Sequence, residues 1–575
     1  MSYTGRARTR LIAVARGDEE PDLVIEGARV FSVFTREWLS GDVGIADGRI
    51  AGVGTFDGGE RLSADGAYLV PGFIDAHMHV ESSMLTPAEF ARAVLPHGTT
   101  AIVCDPHELA NVLGSDGVHW VLDASEGLPL SVYVMAPSCV PASAFESPRR
   151  ELTVGDMEAV LRRRRALGVA EMMNFPGVIA GDPEVLAKLE VAGASHVDGH
   201  APGVAGRALD AYAAAGIRSD HEATTYEEAL EKRRRGLWVL IREASNARNL
   251  RTLLPLVARY GPECCAFCTD DREPDFLLRD GHIDQMCRVA VAEGVAPEDA
   301  LAMASLHGAL AHGLEGHGAI APGYRADLVL LDDLSSFAAS LVVAGGRVAA
   351  RDGRVEAFDV PPTPAYVIGT VRSAPLAAED LRLDGDGAGR VRVIGVIPES
   401  LVTDVREEEP LVREGAVVAD PSRDLAKIAV IERHHATGRV GRGLVTGFGL
   451  REGAFASTVA HDAHNIVAVG VADEDLLACC ERLQEIGGGI VVADGGAVRG
   501  ELALPVAGLL SDEPVEDVVA GLEHLQGLLA EQGVEVVAPF MTLSFLALSV
   551  IPSLKVTDRG LVDVDRFELV PLAVS

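Results

Sequence analysis

The sequence predicts an α/β protein: a TIM (β/α)8 barrel, a small β-sandwich domain built from both flanks of that barrel, and a C-terminal α+β domain. Three observations carry this prediction. Eight apolar strand-like runs alternate with helical stretches over about 240 residues, the count and length of such a barrel. Polar residues collect at the C-terminal ends of those runs, where barrel enzymes keep their sites. Short β patterns flank the alternation on both sides, and a different texture follows them.

Taken in order, residues 22–58 alternate short β patterns with turns: Leu23-Val24-Ile25, Ala28-Arg29-Val30-Phe31, Asp42-Val43-Gly44-Ile45 and Arg49-Ile50-Ala51-Gly52-Val53. Asp47-Gly48 is a hairpin turn signal. The same texture returns at 318–357, so one small β domain is expected over 1–70 plus 316–360. The barrel is expected over 71–315. Its runs are Leu69–His79, Thr99–His107, Ser131–Ala136, Val169–Phe175, Ser195–His200, Ile217–His221, Leu237–Arg242 and Cys264–Asp270. Helical segments such as Pro87–Leu95, Val154–Leu167, Pro183–Ala192, Val204–Ala215, Tyr226–Arg234 and Asn249–Tyr260 lie between them. A doubly wound open sheet is the alternative. Residues 375–575 mix β runs with the helices Asp473–Ile486 and Pro514–Glu531, the expected α+β domain.

Composition bounds the partners. The 575 residues are 48% hydrophobic and 23% charged, an ordinary globular mixture. A net charge of −35 makes nucleic acid and anionic membranes poor partners. Only Lys188, Lys232, Lys427 and Lys555 are lysines. Met1–Arg16 lacks the apolar core of a secretory signal, and no run approaches the ~18 apolar residues of a membrane span. Eight cysteines in no regular framework fit a reducing cytoplasm, so a cytoplasmic protein is expected. A homodimer is the prior for a barrel enzyme of this size.

The apolar stretch Tyr68 to Ile74 leads into His77-Met78-His79. On a strand, residues i and i+2 point the same way, so both imidazoles can aim at one metal. The candidate ligands are His77, His79, Glu171, His200, His221 and Asp270. Four imidazoles and two carboxylates suit Zn, Mn or Fe over Ca or Mg, and so many donors suit two bridged ions. Asp270 can touch one metal and also take a proton. Alone, each downstream histidine reads as a core residue; a polar cap on seven of eight runs reads as one site.

This pattern resembles the amidohydrolase superfamily over 22–358. Many of its members carry a carboxylated lysine at the end of strand four, where this chain has Glu171. That departure points to the bacterial adenine deaminases. The resemblance rests on His77-Met78-His79-Val80-Glu81-Ser82-Ser83-Met84, Gly98-Thr99-Thr100, Asp105-Pro106-His107-Glu108 and Glu171-Met172-Met173-Asn174. It continues through Asp198-Gly199-His200-Ala201-Pro202-Gly203, Ser219-Asp220-His221-Glu222, Leu240-Ile241-Arg242-Glu243, Cys268-Thr269-Asp270-Asp271 and Ala460-His461-Asp462-Ala463-His464-Asn465-Ile466.

The resemblance implies hydrolytic deamination of adenine to hypoxanthine and ammonia by a metal-activated hydroxide, a purine-salvage reaction. It implies two divalent transition metals, Mn or Fe first and Zn as a further fit. His77 and His79 would hold one, His200 and His221 the other, with Glu171 between them. Asp270 would be the general base. Glu81, Glu108 and His107 are candidates for protonating the ring, and Arg242 or Asn174 for hydrogen-bonding it. The loop with His461 and His464 either closes over the barrel mouth with substrate contacts or is a polar turn.

Rival readings remain open at this point. A deaminase of a modified adenine such as N6-methyladenine would keep the same ligands. A cyclic-amide hydrolase would be expected to have the strand-four lysine. A cytidine-deaminase-type zinc site would use Cys265 and Cys268 with His79-Val80-Glu81. A non-catalytic scaffold would not need the full ligand set.

Overall fold

The computed structural model of the protein describes residues 5–385 and 389–574. Eight parallel strands form its centre: β1 (Phe73–Met78), β2 (Thr99–Cys104), β3 (Ser131–Ala136), β4 (Ala166–Met172), β5 (His196–Gly199), β6 (Ser219–Asp220), β7 (Trp238–Arg242) and β8 (Cys265–Cys268). Five pair in the order β5-β4-β3-β2-β1 and three in the order β6-β7-β8. Backbone bonds join the two sheets. Arg218 N–H donates to the Val197 carbonyl at 3.0 Å, and Asp270 N–H donates to the His77 carbonyl at 3.0 Å. The ring closes, giving a TIM-barrel-like fold. Every residue of β1, β2 and β8 is buried, as strands covered on both faces must be.

The stretch from Tyr68 to His79, read as one strand, divides in two. Tyr68–Pro71 pairs with Leu328–Leu331 in the flanking sheet, and Phe73–Met78 opens the barrel. Gly72 stands at the crossing, where a Cβ would lie 2.1 Å from Thr100 Oγ1. Only glycine permits that approach. The flanking unit draws strands from both sides of the barrel into one hydrogen-bonded sheet of nine, and its two halves share one core, with Ile25, Val43 and Ile45 in the same cluster as Leu328, Leu330 and Val343. The direct pairing of Leu328–Leu331 with Tyr68–Pro71 makes it continuous. A helix over Gly5–Arg16, not expected from the sequence, buries Leu11 and Val14 against Ala46 and Ala51.

Beyond the flanking sheet, a second nine-stranded mixed sheet packs with helices Asp473–Ile486 and Val515–Glu531. This C-terminal part reaches back to the barrel: Ser511 N–H donates to the Met84 carbonyl at 2.8 Å. Among the described residues, no helix is long and apolar enough to cross a membrane. Cys265 and Cys268 lie three apart on β8, so their side chains point to opposite faces and pack in separate apolar clusters, which argues against one shared zinc.

Candidate active site

The six predicted ligands come together at the C-terminal ends of the barrel strands, all buried. His79 Nε2 lies 3.1 Å from Asp270 Oδ1 and 3.4 Å from Glu171 Oε1. Its Nδ1 lies 2.9 Å from the Asp105 carbonyl, which accepts the proton there and leaves Nε2 free as a ligand. His77 Nε2 is 3.8 Å from Asp270 Oδ1. Across the cavity, Glu171 Oε2 is 2.6 Å from His200 Nδ1 and 3.3 Å from His221 Nε2. The two oxygens of Glu171 therefore face two different sets of imidazoles.

Local structure fixes these positions. Tyr212 Oη donates to the Met172 carbonyl and accepts from His200 N–H, both at 2.9 Å, tying the ends of β4 and β5. Asp220 accepts from Ala201 N–H at 2.9 Å and from the buried Lys232, which ties the ends of β5 and β6. Asp270 sits in the left-handed region at φ 57°, just past β8.

The donor set fits metal. Both ring nitrogens of His77, Nε2 of His200 and Nδ1 of His221 are buried without a hydrogen-bond partner. Buried polar atoms are rarely left so. His77, His79 and Asp270 converge as one set of donor atoms; His200, His221 and Glu222 converge as another. Mixed imidazole and carboxylate donors suit a divalent transition metal.

Glu222, which the ligand prediction missed although it follows His221 directly, joins this cluster. Its Oε1 is 3.5 Å from His221 Nε2 and 3.7 Å from His200 Nδ1. Arg242, expected at the substrate, is committed elsewhere: it pairs with Glu222 and donates to Asp270 Oδ2 at 2.8 Å and to Asn249 Oδ1 at 3.2 Å. Asn174 requires a correction. It is exposed, and its Oδ1 accepts from Gly177 N–H at 3.0 Å as the N-cap of helix Phe175–Ala180. The chain turns out of the barrel after Met173, and Met173 lines the cavity instead.

The loop 461–464 reaches the barrel mouth. His461 Nε2 is 3.0 Å from Glu108 Oε1 and 3.3 Å from Asp271 Oδ1, and its Nδ1 is 2.6 Å from Ser544 Oγ. The imidazole stacks on Phe545, with ring centroids 4.4 Å apart. His464 Nε2 is 3.2 Å from Glu108 Oε2. His107 lies between barrel and loop, with Nδ1 3.5 Å from Glu171 Oε1 and Nε2 3.5 Å from Asp462 Oδ1.

The cavity is lined by the predicted ligands other than His77, by Asp271, His461 and Asp462, and by the apolar Leu401, Phe545 and Leu548. Glu81 and Glu108 stand behind this lining rather than in it. Burial and the neighbouring Glu108 push the Glu81 carboxyl up to about 8, while the Leu109 N–H binds its Oε1 at 3.0 Å. Burial would raise Glu108 too, but His461 and His464 hold it well below the usual carboxylate range. Reciprocally, burial disfavours a charged His461, yet Glu108 and Asp271 raise it well above the ordinary histidine value. Each group therefore favours the charged form of the other. No local sequence signal marks Leu401, Phe545 or Leu548; folding alone brings them to the cavity.

Comparison with known proteins agrees with this geometry. The family model "Amidohydrolase family" matches residues 68–349, and "Adenine deaminase C-terminal domain" matches 400–568. The chain is 46% identical over 565 residues to adenine deaminase 2 of Carboxydothermus hydrogenoformans, covering 98% of this chain and 99% of that one. It is 45% identical over 566 residues to adenine deaminase of Oleidesulfovibrio alaskensis, covering 98% of each. It is 47% identical over 564 residues to adenine deaminase of Methylobacterium nodulans, covering 97% of this chain and 99% of that one.

Proposed function

The chain belongs to the adenine deaminase family of amidohydrolases and hydrolyses adenine to hypoxanthine and ammonia; from that premise we propose how its residues divide the work. His77, His79 and Asp270 would hold one divalent transition metal and His200, His221 and Glu222 a second, with Glu171 offering an oxygen to each set. Bound there, the metals supply a water acidic enough to lose its proton near neutral pH. The donor set suits Mn, Fe or Zn, and the family resemblance puts Mn or Fe first.

Asp270 takes the proton of the attacking water and passes it to the departing amine. Arg242 anchors its Oδ2 at 2.8 Å and leaves Oδ1 toward the ligand histidines. His461 lines the cavity, and its Nε2–H, which rests on Glu108 and Asp271, is the proton a ring nitrogen would take by displacing those acceptors. Glu108 thus acts through His461. Asp271 and Asp462 offer acceptors to the N–H groups of the base. The eight free cysteines support a reducing compartment such as the cytoplasm.

The observation that carries this reading is Glu171, with one oxygen toward His79 and the other toward His200 and His221. A spectrophotometric screen of adenine, N6-methyladenine, adenosine and cytosine with Mn-loaded enzyme tests it. Adenine is expected to be turned over best. Turnover of adenosine without adenine overturns the free-base cavity, and better turnover of N6-methyladenine moves the substrate to the modified base.

A further inference from the structure

Four of the 50 basic residues are lysines. Lys232 and Lys427 lie against carboxylates. Lys555 does not: among the described residues it forms no ion pair, and it is 0% exposed. Its Nζ donates instead to two main-chain carbonyls, of Leu401 at 2.8 Å and of Phe545 at 3.1 Å. These two residues belong to segments far apart in the chain. Leu401 precedes the edge strand Thr403–Glu408, and Phe545 follows the helix Pro539–Ser544. Both line the cavity, and the Phe545 ring is the one stacked on His461.

Burying an amine with only two neutral acceptors is unfavourable. Burial pushes the Lys555 amine down to about 7. A compact head with rotatable donors on a flexible stem can reach two converging carbonyls; the planar fork of arginine fits carboxylates better. We propose that Lys555 is a positioning residue for the substrate cavity, drawing the Leu401 and Phe545 segments together into the apolar wall that covers the base.

This inference rests on the cavity being the adenine site, so the wild-type enzyme is measured first; failure to turn over adenine refutes that reading and leaves nothing for Lys555 to position. In the full-length, metal-loaded enzyme, Lys555→Met keeps the apolar stem and removes the donors. KM for adenine and the inhibition constant of hypoxanthine are expected to rise together by about tenfold, the worth of ~1.4 kcal/mol. Metal content is expected to stay at the wild-type value and kcat to fall less than threefold. A purely structural lysine would lower thermal stability and leave KM and the hypoxanthine constant alone. A folded Lys555→Met enzyme with both constants within twofold of wild type overturns the proposal, as does a loss confined to kcat. Where Lys555→Met does not fold, Leu401→Ala decides. It thins the wall with Lys555 in place, and an unchanged KM there shows that the wall does not touch the base and overturns the proposal.

Discussion

On the barrel side of the cavity, ring nitrogens of His77, His200 and His221 are buried without hydrogen-bond partners. On the C-terminal side, His461 has both of its nitrogens engaged, by Ser544 Oγ at 2.6 Å and Glu108 at 3.0 Å. Both regions present imidazoles to the same space, yet their surroundings prepare them for different tasks. The barrel imidazoles keep lone pairs free among carboxylates and so suit cations. The C-terminal imidazole is held in one orientation between Glu108 and Ser544, and so suits a directed proton. Barrel substitutions should therefore disturb chemistry or metal content, and C-terminal ones should alter catalysis with metal content intact.

The largest effect is expected from Asp270→Asn. The amide keeps the size of the carboxyl and its contact with Arg242 but loses the proton acceptor. General-base removal typically costs about 100- to 10,000-fold in kcat. Metal content by elemental analysis should stay near that of the wild type, because His77, His79 and Glu171 remain. An Asn variant with more than a tenth of wild-type kcat would return Asp270 to the role of a ligand alone.

Ser544→Ala tests the other side. It removes the hydroxyl that fixes His461 Nδ1 while Phe545 still stacks on the ring. Loss of one hydrogen bond to a charged group costs about 1.5–3 kcal/mol, which corresponds to roughly 10- to 100-fold in kcat/KM. The metal content should not change. If metal is lost from this variant, the division between the two regions fails, since the C-terminal loop would then be supporting ligands.

The two regions also differ in how far the sequence discloses them. His77 and His79 are legible because a strand has a period of two, and strand ends mark where barrel ligands belong. Asn174 reads as a cavity residue because its neighbours Glu171 and Met173 face the cavity; the strand ends at Met172, three residues before the apolar run ends at Phe175. Tyr68–Pro71 and Phe73–Met78 read as one strand because hydrophobic patterning does not register a change of sheet at Gly72. Leu401, Phe545, Leu548 and Lys555 carry no local signal at all. Their role exists only once distant segments meet, and apolar residues near a site look like any others in a core.

Glu146 offers the test with the smallest expected effect on turnover, because it joins the two regions without entering the chemistry. Its Oε1 accepts from Ser143 N–H at 3.2 Å on the barrel side and from Ser549 Oγ at 3.0 Å on the other, and its Oε2 accepts from Ala463 N–H at 3.3 Å. Burial, reinforced by the nearby Asp462, pushes its carboxyl from 4.5 up to about 8. Below the unfolded value both states hold the proton, and Glu146 adds nothing to the pH dependence. Between 4.5 and about 8 the unfolded chain releases that proton while the folded chain retains it. The unfolded state then binds fewer protons, so this group lowers stability as pH rises and its effect levels off above the folded value. Glu146→Gln removes the titration and keeps one acceptor, at the expense of the bond from Ala463. By thermal melts at a fixed scan rate, the variant should start slightly below wild type near about pH 5. The difference should shift in favour of Gln up to about pH 8 and stay level beyond it. A difference that stays constant across this range would mean that Glu146 is ionised in the folded protein, and that the seam between barrel and C-terminal part tolerates a buried charge.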